Sequence, residues 1–119
     1  MRALKQALPG YDIQYLGDTA RLPYGTKSAE TVIRYAMGCV EQLMSKGPLD
    51  ALVIACNTAS AHGLDALQDH VGPDIPVVGV VAPGANTVVQ VTSNGPVGVL
   101  ATNSTIQSGR YQSLIEERM

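Results

Sequence analysis

The sequence predicts an α/β fold, a three-layer domain of the flavodoxin-like type built on a parallel sheet. Two observations carry that expectation. Short runs of Val, Ile, Leu, Ala and Gly alternate with longer stretches of helical periodicity, the pattern of βαβ units. Several of the runs are apolar almost throughout, as strands covered on both faces require.

Four segments read as strands: 11–16, 51–55, 77–81 and 97–101. The longest helix spans 28–46, where Val32, Ile33, Ala36, Val40, Leu43 and Met44 recur at spacings of three and four. Ser28 suits its N-cap, Glu30 its positive end, and Lys46-Gly47-Pro48 its termination. A second helix is expected from about Thr58 to Val71, a shorter one after Pro83-Gly84, and a last one from about Thr105 to the C-terminus. Residues 1–8 before Pro9-Gly10 read as the tail of a helix that a first strand would normally precede. The whole of 1–119 is therefore read as one partial domain, without its first strand.

Composition narrows the function. The chain has 119 residues, 45% hydrophobic and 15% charged, which suits one packed domain rather than a disordered chain. Phe and Trp are absent, so aliphatic side chains must build the core. A net charge of -2 without a basic cluster gives no electrostatic footprint for nucleic acid. No run of about 18 apolar residues is available to cross a membrane. A cytoplasmic protein with reduced thiols is the expectation, and Cys39 and Cys56 are read as unpaired.

The chemistry concentrates at two loops. Cys56-Asn57-Thr58 directly follows the run 51–55, and ligands of open parallel sheets bind at such strand ends. A thiol there also meets the start of the next helix, where free N–H groups and the helix dipole favour a thiolate. Asn57 and Thr58 add a neutral amide and a hydroxyl suited to the carboxylate and ammonium of an amino acid. The plainer alternative is a small buried cysteine ending a strand, with Thr58 as N-cap. A cysteine phosphatase would need Arg six positions after the thiol, and His62 stands there. Spacing argues equally against a Cys-x-x-Cys redox pair and a zinc site. Cys39 falls inside the long helix and reads as packing, while His62 and His70 read as structural or solvated.

The second loop, 18–28, follows the first strand candidate and is longer than a tight βα turn, a property that accompanies function. Its Pro23-Tyr24-Gly25 offers rigid main-chain groups and a phenol to a ligand. Taken together, 18–28, Ala55-Cys56-Asn57-Thr58-Ala59-Ser60, 77–84 and 98–105 resemble, in the same order, the glutamate racemases of the Asp/Glu racemase superfamily. The resemblance covers essentially the whole chain and the first half of a typical member.

The resemblance implies two α/β domains facing across a cleft, no cofactor, no metal, and glutamate as substrate. It implies that one thiol removes the Cα proton while a second protonates the opposite face. By position Cys56 matches the first of these thiols, and Tyr24, Gly25, Asn57, Thr58, Thr102 and Thr105 match substrate-binding positions. The family's first strand, with its Asp-Ser pair, and its second domain, with the partner thiol, are not in these 119 residues. The implied role is interconversion of L- and D-glutamate for peptidoglycan. A non-catalytic domain that binds a small acid or pairs with itself as a homodimer is the alternative, since an unfilled sheet edge invites pairing.

Overall fold

The computed structural model describes residues 1–119. Its elements are α1 (Arg2–Ala7), α2 (Ala29–Met44), β1 (Leu52–Ile54), α3 (Asn57–Val71), β2 (Val77–Gly79), α4 (Val81–Val91), α5 (Asn103–Gln107) and α6 (Arg110–Glu116), with 3₁₀ turns at Thr19–Arg21 and Tyr24–Thr26. β1 and β2 pair in parallel, with Leu52 opposite Val77, Val53 opposite Val78 and Ile54 opposite Gly79. The α/β class and the parallel pairing therefore stand as read.

The principal core forms where α2 and α3 lie together over one face of that sheet. Val32, Ala36 and Val40 recur every four residues along α2, and Ala59, Gly63 and Leu67 do the same along α3. Rows spaced by four are the ridges that interdigitate when helices cross. Gly63 faces Ile33 at this crossing, where a Cβ would stand 3.4 Å from the Ile33 side chain, in ordinary van der Waals contact. Leu52 closes this cluster from the sheet. A second cluster joins Val81 and Ala85 of α4 to Leu114 and Ile115 of α6.

Polar side chains fix the connections. Ser28 caps α2 as its composition suggests, accepting from the Thr31 amide at 3.2 Å. Gln68 does the work of a turn between α3 and β2: its amide donates to the carbonyls of Gly72 and Ile75, and its oxygen accepts from the Val77 amide. The Ser60 hydroxyl donates to the Ile54 carbonyl at 2.9 Å and accepts from the Val80 amide at 3.2 Å, joining the ends of both strands.

Several expectations need correction. The candidates 11–16 and 97–101 form no ladder. Strand propensity is local, whereas a ladder needs a second backbone about 4.8 Å away, and neither segment has one. Along 97–100 packed Val97 and Val99 still alternate with exposed Gly98 and Leu100. The strands themselves are three residues each, because Val80 and Val81 already enter α4. That helix starts before Pro83, not after it; a proline in the first turn loses no intrahelical bond. The last helix is two, separated at Gly109, whose φ of 65° lies in the left-handed region. α1 buries no residue, and the sheet face bearing Val53 and Val78 is open. No helix is long and apolar enough to cross a membrane.

Candidate functional site

Cys56 is the N-cap residue of α3, half-buried at the carboxyl end of β1, with its carbonyl accepting from the Ser60 amide at 2.9 Å. Its side chain caps nothing. The cap position thus falls two residues before Thr58, and Thr58 instead turns its hydroxyl toward Thr102 and Thr105. Asn57 is exposed and Thr58 buried.

Three hydroxyls meet at this end of the sheet. Thr58 Oγ1 lies 3.0 Å from Thr102 Oγ1 and 3.0 Å from Thr105 Oγ1, and the latter two are 3.0 Å from each other. Each hydroxyl owns one proton and can accept from two partners. A closed triangle is therefore satisfied when each oxygen donates once and accepts once. Thr58 and Thr105 are buried, so Thr102, the exposed N-cap of α5, is the corner that faces outward.

The Pro-Tyr-Gly loop closes on the same corner. Gly25 is buried, and a Cβ built on it would stand 2.6 Å from both Cβ and Cγ2 of Thr102. The Thr102 side chain already fills the space that a Cβ on residue 25 would need. Gly25→Ala should therefore destabilise the fold by about 1–3 kcal/mol, the usual cost of overpacking, and push Thr102 out of the triangle. Denaturant melts of Gly25→Ala, Thr102→Gly and the double variant test this, and the double variant should recover much of the loss.

Tyr24 behaves differently from expectation. Its phenol donates to Asp18 Oδ2 inside the loop instead of standing free for a ligand. Arg21 Nε also reaches Asp18, at 2.8 Å, while its guanidinium lies 4.4 Å over the Tyr35 ring and contacts Cys39 Sγ at 3.7 Å. The Leu22–Pro23 peptide between them is cis. Burial and the bond to Asp18 push the Tyr24 phenol above the usual tyrosine range. The bond from Tyr24, helped by Arg21 and opposed by burial, holds the Asp18 carboxyl below the usual carboxylate range. Burial and the nearby Asp18 charge raise the Cys39 thiol. Both cysteines are free, and Cys39 belongs to this clasp rather than to the triangle.

The clasp sets a pH window. Lowered Asp18 contributes stability above its unfolded pKa of about 3.9, lost as pH falls through the lower folded value; raised Tyr24 contributes below about 10, lost as pH rises. Asp18→Asn should cost about 0.5–1 kcal/mol at pH 7 after solvent screening. The difference from wild type should shrink below pH 4, as paired thermal melts would show.

Sequence reading left out several contributors. Tyr111 of α6 donates to Asn57 Oδ1 at 2.7 Å. His62, read as structural, places Nε2 2.9 Å from both the carbonyl and hydroxyl oxygens of Ser104, and Ser104 Oγ donates to the Lys27 carbonyl at 3.3 Å. These bonds pin α5 to α3 and to the end of the Pro-Tyr-Gly loop. They span 42 to 77 residues of sequence, so no local pattern announces them. No group of three or more His, Cys, Asp or Glu side chains is placed to hold a metal.

The structure thus gathers Gly25, Thr58, Thr102 and Thr105 in direct contact, with Cys56 and Asn57 on the same turn and Tyr24 anchoring the adjoining loop. Comparison with known proteins follows the same lines. A glutamate racemase of Persephonella marina (strain DSM 14350 / EX-H1) is 50% identical over 117 residues, 98% of this chain and 44% of that protein. The solved glutamate racemase from Aquifex pyrophilus superposes with a TM-score of 0.92 at 43% identity, over 98% of this chain and 45% of its own. That of Francisella tularensis subsp. tularensis SCHU S4, solved in complex with D-glutamate, superposes with a TM-score of 0.85 at 38% identity, over 97% and 42%. The chain spans under half the length of the curated relatives it matches. The family described as Asp/Glu/hydantoin racemase matches all of residues 1–119, and the chain belongs to that family.

Proposed function

We infer that the chain forms one wall of a cofactor-independent glutamate racemase site serving peptidoglycan synthesis in the cytoplasm. The observation that carries this reading is the convergence of the Cys56-Asn57-Thr58 turn, the Tyr24-Gly25 loop and the Thr102 and Thr105 hydroxyls at one strand end. Similarity to glutamate racemases along nearly the whole chain supports the same substrate.

In this reading Cys56, as thiolate, takes the Cα hydrogen of glutamate as a proton. Gly25, Asn57, Thr58, Thr102 and Thr105 hold its polar groups, and Tyr24 contributes main-chain groups while its phenol stays with Asp18. Inversion needs a second acid on the other face of the carbon. Cys39 is engaged with Arg21 in the clasp, so it does not serve as that acid. The 119-residue chain alone is expected to exchange the Cα hydrogen slowly with retention and to make little or no D-glutamate. Incubating L- and D-glutamate separately in D₂O and following both deuterium uptake and chirality tests this. Rapid racemisation, or no exchange with either enantiomer, would overturn the reading.

One observation favours a second reading, a domain that pairs with itself. Val53 and Val78 stand side by side on the open sheet face, and Leu100 is fully exposed. Exposed apolar patches mark contact surfaces. Sedimentation over a range of concentrations separates a homodimer from a monomer.

A further inference from the structure

The side-chain amide of Asn57 has two faces of opposite character, an oxygen that accepts and an NH₂ that donates twice. Which face meets a ligand depends on what occupies the other. Here one of the oxygen's two lone pairs is taken, because Tyr111 Oη donates to Asn57 Oδ1 at 2.7 Å. The tyrosine itself has little freedom. It belongs to α6 and packs against the Val81, Ala85, Leu114 and Ile115 cluster. Gly84 of α4 faces its hydroxyl so closely that a Cβ there would stand 3.1 Å from Oη and 3.3 Å from Cε1. Helices α4 and α6 therefore hold the phenol, and the phenol holds the amide.

From this contact we propose that Tyr111 is a positioning residue that fixes the rotation of the Asn57 amide beside Cys56, leaving its NH₂ to meet a ligand. An amide so held favours an acceptor at its NH₂, the α-carboxylate of an amino acid, over an ammonium at the same point. The orientation of the amino acid follows, and with it the direction in which the Cα–H bond faces the thiol. The inference deepens the glutamate reading and rests on it for the identity of the ligand; the contact between Tyr111 and Asn57 does not.

The experiment has two arms on the full 119-residue chain. Without ligand, the Asn57 side-chain carbonyl carbon is followed by NMR in wild type, Tyr111→Phe and Gly84→Ala, with Asn57→Asp identifying the signal. Loss of the hydrogen bond should shift it in Tyr111→Phe, with a smaller shift in Gly84→Ala, which crowds the hydroxyl but keeps it. With ligand, titrations compare glutamate with its α-carboxamide, which replaces an acceptor-only group by one that also donates. Wild type should prefer glutamate, and Tyr111→Phe should bind glutamate about tenfold more weakly, the scale of one hydrogen bond, with a narrower preference. Melting curves identify any variant that fails to fold, and Gly84→Ala then carries the comparison.

An unmoved Asn57 carbon in both variants would overturn the proposal, as would a shifted carbon with unchanged affinity and preference. Failure of wild type to bind glutamate, with the carbon shifting as expected, would sink the glutamate reading and the ligand half of this proposal, while leaving Tyr111 as the residue that orients the amide.

Discussion

Replacing Cys56 by alanine is expected to lower Cα hydrogen exchange on glutamate by about 10²–10⁴-fold, the usual loss for one acid or base. Placement of the thiol decides this. The thiol stands where the sheet ends and α3 begins, half-buried, beside Asn57 and two residues before the hydroxyl triangle. No other cysteine shares the site, since Cys39 is tied to Arg21 in the clasp. Cys56→Ser keeps the size and removes the thiol's acidity, so it should fall nearly as far. NMR of glutamate in D₂O reads both variants directly. Exchange at the wild-type rate in either would remove Cys56 from the chemistry.

The largest effect on stability is expected at Leu67. Its side chain is fully buried, 0% exposed, where α3 crosses α2 above the sheet. Leu67→Ala should cost about 2–5 kcal/mol, from lost burial and the cavity left behind. A domain of this size holds about 5–15 kcal/mol in all, so the thermal midpoint should fall by about 10 °C or more. Leu67→Met conserves volume and should lose less than about 1.5 kcal/mol. Urea melts check the pair, and equal losses would mean that the site tolerates a void the packing does not suggest.

The helices that build this core were legible because their signals are local. The four-residue rows of α2, its Ser28 cap and the glycine after Val71 each act within a turn or two of where they stand. The strand candidates 11–16 and 97–101 carried the right propensity, but pairing depends on a neighbour that propensity does not describe. The break at Gly109 was hidden because nothing in the run of residues before it forbids a helix; its left-handed φ shows only in three dimensions. Within the site, Cys56, Asn57 and Thr58 announce themselves by following an apolar run. The commitment of Tyr24 to Asp18 did not, although the two are six residues apart, because a turn of that loop decides whether the phenol faces inward or out. Tyr111 and Ser104 lie beyond any pattern, since their partners are 54 and 42 residues away.

The threonine triangle has a consequence for selectivity. A ring whose three protons already circulate among three oxygens has no idle donor. A newcomer must break one internal bond to obtain one. A neutral carbonyl gives back about as much as is lost, so it gains no foothold. An anion returns roughly twice as much per bond, and only such a guest tips the balance. The ring thus behaves as a threshold, closed to weak acceptors and open to charged ones, without a single cationic side chain among its members.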